Sequence, residues 1–63
     1  MLNVVLPDGS RKQYDRPVTP LEIAAEIGPR LAQATVAAAV DGQIVSANAA
    51  LPTEGEITLR ILT

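Results

Sequence analysis

The chain has 63 residues, a formal net charge of −2 and no Cys or His, so it has room for one small domain and little independent chemistry. Without Cys it has no disulfide, thiolate metal site or thiol nucleophile, and without His it has no imidazole base or imidazole-bound metal. The acidic balance argues against strong unaided binding to nucleic acid, and no apolar run approaches the ~20 residues of a membrane span.

The apolar residues are mostly small and aliphatic. Ten of them are alanine and 18 are Leu, Ile or Val, whereas Tyr14 is the only aromatic residue. A domain of this size buries only about 60% of its unfolded surface, so its stability margin is thin. We therefore expect a compact aliphatic core in which alanines allow close approach. The N-terminus lacks the charged and then apolar segments of a signal peptide.

The first predicted elements are two strands joined by a tight turn. Residues 1–6 alternate in polarity and predict a strand whose apolar face carries Leu2, Val4 and Leu6. Residues 7–10 contain Asp-Gly, a strong hairpin signature because glycine takes a positive φ without steric cost. Residues 11–15 predict the returning strand, which is polar apart from Tyr14, as expected for an edge strand.

The clearest local pattern marks the start of a helix. Thr19 is a favourable N-cap, Pro20 suits the first helical position, and Glu22 follows Thr19 by three residues, as in a capping box. Val18 and Ile23 occupy the two positions of a hydrophobic staple. Together these residues predict that the helix begins at Pro20.

The predicted helix runs from Pro20 to about Ile27, because Gly28 and Pro29 form a C-terminal stop. Its apolar face is predicted to carry Ile23, Ala24 and Ile27, with Leu21 on the flank. Residues 30–33 predict one further turn, with Leu31 directed inward.

The segment 35–40 suits two structures. Its alanines favour a helix, whereas the alternation of Val36, Ala38 and Val40 favours a strand. The Asp-Gly pair at 41–42 favours the strand, because two extended segments around Asp-Gly form a hairpin. Residues 43–45 are then a short returning strand.

The end of the chain predicts a loop and a final strand. Residues 46–55 predict the loop, which Leu51 anchors and which ends in a turn at 54–55. Residues 56–62 predict the last strand. Its inward side chains are predicted to be Ile57, Leu59 and Ile61, and its outward ones Thr58 and Arg60.

The predicted order is β-β-α-β-β-β. This is an α+β fold in which one helix covers one face of a single mixed sheet, because no other element can bury either. The first and last strands are the most apolar, so we expect them to lie side by side at the sheet centre. Such an arrangement is a β-grasp, or ubiquitin-like, fold, formed by residues 1–63 as a single domain.

The acidic and hydroxyl side chains are better explained by structure than by catalysis. Two aspartates lie in predicted turns, and Glu22 lies in the helix cap. Glu54 and Glu56 are too close together on an exposed turn to form a buried acid–base pair, and no base is available to activate a serine. The glycines are isolated at turns and do not form a phosphate-binding run. We therefore predict no catalytic, cofactor-binding or metal-binding residue.

One cluster is a candidate contact site for RNA or another ligand: Arg11, Lys12, Tyr14 and Arg16. Its three cations could face phosphates, with Tyr14 as a stacking surface. The alternative is a solvated edge strand whose charges discourage edge-to-edge pairing. Three cations release too few counterions for tight binding, so a larger neighbour would have to supply most of the contacts.

Three stretches together resemble a known family. They are Leu-Pro-Asp-Gly-Ser at 6–10, Pro-Val-Thr-Pro-Leu-Glu-Ile-Ala-Ala-Glu-Ile-Gly at 17–28, and Val-Asp-Gly-Gln-Ile-Val at 40–45. Over essentially the whole chain the sequence is similar to the TGS domain at the N-terminus of bacterial threonyl-tRNA synthetase. One departure is Ser-Ala-Asn at 46–48, where relatives often carry an acidic residue.

The resemblance implies that the chain is a fragment of a larger multidomain protein, followed by editing, catalytic and anticodon-binding domains as its partners. The parent would be a cytoplasmic homodimer that attaches threonine to tRNA using ATP, Mg and zinc, and the fragment itself would be a monomer with no cofactor. Those sites lie in the catalytic core, so none of them corresponds to a residue of this chain. The domain is expected to be a regulatory module that contacts a ligand or tRNA.

Two further classes of protein are weighed against this one. TGS domains of alarmone (ppGpp) synthetase/hydrolases and of certain GTPases share the fold and the Thr-Pro helix start, but typically lack the opening hairpin sequence. A sulfur carrier or ubiquitin-like modifier activates a C-terminal Gly-Gly carboxylate, whereas this chain ends in Ile-Leu-Thr. The regulatory TGS domain is therefore the alternative that we retain.

Overall fold

The computed structural model describes all 63 residues, which form five strands and two short helices. The five strands and the first helix lie where the sequence predicts them, to within two residues at each end. The further turn predicted at 30–33 is a second helix, because Pro29 starts a new helix directly after Gly28. In chain order the elements are β1 Leu2–Val5, β2 Arg11–Tyr14, α1 Pro20–Ile27, α2 Pro29–Ala34, β3 Ala37–Val40, β4 Gln43–Ser46 and β5 Gly55–Leu62.

The strands form one mixed sheet in the order β2-β1-β5-β3-β4. Strands β1 and β5 are parallel, with Val4 opposite Ile57, and the other three pairings are antiparallel. The first and last strands are therefore neighbours at the centre of the sheet, as predicted. This confirms the α+β, β-grasp architecture, with two helices in place of one.

Strand β5 joins two half-sheets. Its first half, Gly55–Thr58, pairs with β1, and its second half, Leu59–Leu62, pairs with β3. Strand β1 is the shorter partner because Pro7 has no N–H with which to continue a ladder. The chain then turns back through Gly9, whose φ of 90° favours glycine.

Helix α1 begins as the sequence predicts. Thr19 is extended, and its Oγ1 accepts a hydrogen bond from the Glu22 N–H at 3.2 Å. The reciprocal half of the predicted capping box is missing, because the Glu22 carboxylate instead accepts a hydrogen bond from Arg16 Nη1 at 3.2 Å. At the other end, the Gly28 N–H donates to the Ala24 carbonyl at 2.9 Å.

The core lies between α1 and one face of the sheet. Both predicted staple residues, Val18 and Ile23, belong to it, and the loop anchor Leu51 is also buried. The Leu51 N–H donates to the Val18 carbonyl at 3.0 Å, which ties the loop to the start of the helix. The largest fully buried side chains are Leu2, Val4, Val18, Pro20, Ile23 and Leu59.

One residue predicted on the apolar face of α1 is exposed, and so is an apolar residue just before β3. Ile27 is 48% exposed, because it lies at the end of α1 beside an open groove rather than over the sheet. Val36 is 72% exposed, because β3 begins only at Ala37 and the alternation that buries Ala38 does not reach back to it. Leu31 is half-buried at the same groove and lies outside the buried core cluster.

The N-cap can be tested by removing its oxygen. Thr19→Ala should lower the free energy of unfolding by about 1 kcal/mol, since the Glu22 N–H loses its acceptor. Urea denaturation followed by circular dichroism measures this difference. Thr19→Ser keeps the acceptor and is the matched control. Equal stability of the alanine variant and the wild type would contradict this helix start.

The core assignment can be tested at two fully buried positions. Ile23→Ala and Leu59→Ala should each lower the free energy of unfolding by about 2–5 kcal/mol, enough to unfold so small a domain. The control Ile44→Ala removes a side chain that is 68% exposed and should cost less than about 0.5 kcal/mol. A core variant as stable as this control would overturn the assignment.

Candidate functional site

The four predicted contact residues lie on the edge strand β2 and in the connection from it to α1. Within β2, Lys12 and Tyr14 are opposite the buried residues Val4 and Leu2, so they face the helix side of the sheet. Arg11 points to the other face, because successive side chains of a strand alternate. The structure therefore brings three of the four together, with Arg11 apart from them.

Glu26 of α1 is the centre of this cluster. Its Oε1 accepts a hydrogen bond from the Tyr14 hydroxyl at 3.0 Å and lies 3.7 Å from Lys12 Nζ. Its Oε2 lies 3.9 Å from Arg16 Nη2. The sequence alone gives Glu26 no role, since its only signature is the four-residue spacing from Glu22 along one helix face.

The remaining pairs complete a balanced set of charges. Arg16 Nη1 lies 3.2 Å from Glu22 Oε2, and Arg11 Nη1 lies 3.2 Å from Glu56 Oε2 on the open face of the sheet. Three cations thus meet three carboxylates, and the surface is a network of ion pairs rather than a basic patch. Partly exposed pairs of this kind contribute about 0–1 kcal/mol each, so an incoming phosphate could displace a carboxylate at small cost.

Tyr14 lies in the core rather than on the surface. Its side chain is only 8% exposed, so the ring offers no face on which a base could stack. Burial raises the pKa of the Tyr14 phenol to about 12, and the hydrogen bond to Glu26 adds to this increase. The side chain fastens β2 to α1. RNA contact at this cluster stays a prediction, and it would involve the cations rather than stacking.

A second feature is an open groove of about 290 Å³ beside the C-terminal end of α1. Sequence reasoning missed it, because its walls come from the turn after β1, from both helices and from β5. Two of its residues carry charge. Asp8 accepts a hydrogen bond from the Ser10 N–H at 2.9 Å, and this bond holds the pKa of Asp8 below its usual range. The groove is lined by Leu6, Pro7, Asp8, Ile27, Leu31, Arg60 and Ile61.

The comparison with protein families decides the family. The family model of the TGS domain matches residues 2–63, which is nearly the whole chain. The chain belongs to the TGS domain family. TGS domains are regulatory or accessory domains found in several protein families, and the domain alone is non-catalytic.

The segment 46–48 of this TGS domain contacts the start of α1. The Ala47 carbonyl accepts a hydrogen bond from the Leu21 N–H at 2.9 Å, which satisfies one of the free N–H groups of the first helical turn. Because the contact uses backbone atoms, it does not depend on an acidic side chain in this segment.

Two general findings concern metals and membranes. The TGS domain holds no group of three or more His, Cys, Asp or Glu side chains that could bind a metal ion. Neither helix is long and apolar enough to cross a lipid bilayer.

The raised pKa of Tyr14 predicts a loss of stability at high pH. The phenol titrates near 10 in the unfolded chain and at about 12 in the folded domain. Its contribution is therefore fully present below about pH 10 and is lost as the pH rises towards 12. Ultraviolet absorbance measures the phenolate, and denaturation across this range measures the stability.

Two variants make this test specific. Tyr14→Phe should remove the Tyr14 part of the stability loss. Glu26→Gln keeps an acceptor but removes the negative charge, so it should lower the Tyr14 pKa. An ordinary Tyr14 pKa near 10 in the folded domain would contradict the buried, Glu26-bound phenol.

Proposed function

We propose that the chain is the N-terminal TGS domain of a threonyl-tRNA synthetase, a non-catalytic accessory domain of an enzyme that attaches threonine to tRNA(Thr) with ATP. The observation that carries this proposal is the TGS match over residues 2–63, combined with the sequence at 6–10 and 17–28, which resembles that of this enzyme's domain. On this proposal the parent is a cytoplasmic homodimer, and ATP, Mg and zinc bind outside residues 1–63.

The accessory role is supported by what the acidic side chains do. Six of the seven carboxylates are engaged in structural contacts, and Asp15 is the exception. Asp41 Oδ1 accepts a hydrogen bond from the Thr58 N–H at 2.9 Å and so closes the β3–β4 turn against β5. Glu54 Oε2 lies 2.8 Å from the N-terminal ammonium, and Glu22, Glu26 and Glu56 pair with cations.

The alternative is a regulatory TGS domain of an alarmone synthetase/hydrolase or a GTPase. It shares with the first proposal the TGS match over residues 2–63 and the Thr-Pro helix start at 19–20. The residues that follow Thr63 in the gene distinguish the two. An editing domain and a class II catalytic core would support the synthetase, and a hydrolase or GTPase core would overturn it.

Within this function, we propose that Arg11, Lys12 and Arg16 contact the tRNA backbone while neighbouring domains hold most of the molecule. Each of these cations is partly exposed and each is held in place by a carboxylate. They are thus positioned before binding, and phosphates would replace their carboxylate partners. Three cations release few counterions from the tRNA, so the contact is weak by itself.

An NMR titration of the labelled domain with tRNA(Thr) at low salt tests this contact. Chemical shift changes should concentrate on Arg11, Lys12 and Arg16 and should shrink as salt is added. Arg16→Glu should weaken the changes. Arg30→Glu, which alters an exposed cation of α2 outside the cluster, is the matched control. No changes at low salt, or changes confined to the opposite face of the domain, would contradict the proposal.

A further inference from the structure

Strand β5 has an open edge along its second half. The pairing of β1 with β5 ends where Val5 is opposite Thr58, whereas β5 continues to Leu62. Beyond Thr58 the only strand beside β5 is β3. The side that β1 leaves is therefore without a neighbouring strand over Leu59–Leu62.

The hydrogen bonds to β3 show which backbone groups face this edge. The Asp41 N–H donates to the Thr58 carbonyl and the Val36 N–H donates to the Leu62 carbonyl, both at 2.9 Å. Because the backbone groups of successive strand residues point to opposite edges, those of Ile61 point away from β3. The N–H and carbonyl of Ile61 therefore face the open edge, where an added strand could pair with them.

The open edge coincides with the groove, and Pro7 is the reason for both. Without an N–H, Pro7 cannot extend β1 along β5, and the chain turns away through Gly9. The Leu6 N–H is already bonded to the Ser10 carbonyl at 2.8 Å, within the turn. The space beside Ile61 therefore stays open because Pro7 has no N–H and the turn leads the chain away from β5.

The groove has aliphatic walls and two charged residues, of which Arg60 has no ion-pair partner. Ile27 is 48% exposed there although it belongs to the apolar face of α1, and Leu31 is half-buried beside it. Arg60 forms no ion pair, in contrast to Arg11, which faces the same side of the sheet and is bound to Glu56. The Asp8 carboxylate accepts a hydrogen bond from the Ser10 N–H and keeps its negative charge, but it lies on the turn after β1, on a different wall of the groove from Arg60.

We propose that this groove binds an extended peptide segment of alternating aliphatic and acidic residues, which adds a short strand to the open edge of β5. The backbone of Ile61 exchanges hydrogen bonds with the peptide, as in other cases of strand addition. An aliphatic side chain packs against Ile27 and Leu31, and an acidic neighbour meets Arg60.

The alternation follows from the strand geometry. Ile61 points towards the helices and Arg60 towards the open face, so a paired strand also presents alternate side chains to these two environments. The groove volume of about 290 Å³ is at the lower end of the ~300–1,000 Å³ typical of ligand pockets, which suits one or two side chains rather than a nucleotide.

The probe is a blocked heptapeptide of alternating glutamate and valine, titrated into the isotope-labelled 63-residue chain. Shift changes should appear at the amides of Leu59–Leu62 and at the methyl groups of Ile27 and Leu31, and the Ile61 amide should exchange more slowly with solvent. A fully N-methylated peptide, which cannot donate main-chain hydrogen bonds, should bind at least tenfold more weakly. A peptide with lysine in place of glutamate should also bind more weakly.

Matched variants test the charge. Arg60→Glu should weaken binding about fivefold or more, as loss and reversal of one partly exposed ion pair implies. Arg30→Glu changes an exposed arginine that does not line the groove and should leave binding unchanged. Equal affinity of the N-methylated peptide, shifts centred on β2 or β4, or no binding at millimolar peptide would overturn the proposal. None of these results would affect the tRNA proposal, which concerns β2 and the connection after it.

Discussion

The parallel pairing of β1 with β5 is the contact on which the rest of the domain depends. It joins the two ends of the chain at the centre of the sheet and places Val4 opposite Ile57 above the buried face of α1. Burying one large aliphatic side chain contributes roughly 1.5–3 kcal/mol, whereas a partly exposed ion pair contributes about 0–1. The aliphatic core therefore supplies most of the stabilisation of the fold, and the ion pairs of β2 contribute little to it.

Strand β5 pairs with two different strands along its length, and this division explains the groove beside Ile61. One half of the strand completes the core with β1, and the other half carries β3 and the hairpin that follows. Because Pro7 ends the first pairing early, a short stretch of the central strand has an edge open to solvent, as an edge strand has. The groove beside Ile61 is a consequence of the way this small sheet is assembled.

The success of sequence reasoning differs between local and long-range features. The start of α1 at Thr19 and Pro20 was predictable, because a cap and a proline act within one turn of the chain. The exposure of Ile27 and Val36 was not, since an apolar position in a periodic pattern is buried only if another element lies opposite it. The burial of Tyr14 was equally unpredictable. Its polar neighbours in the sequence suggest a surface residue, whereas the fold buries its ring.

The sequence by itself determined the elements, their order, the β-grasp arrangement and the resemblance to TGS domains, because these rest on turn residues, periodicity and motifs of a few residues each. The tertiary structure alone decided which charges meet. Glu26 binds a tyrosine 12 residues earlier, and Glu56 pairs with an arginine 45 residues away. It also decided that four separate segments enclose a groove beside Ile61. Such contacts depend on strand register and helix placement, which are settled only when the whole core packs.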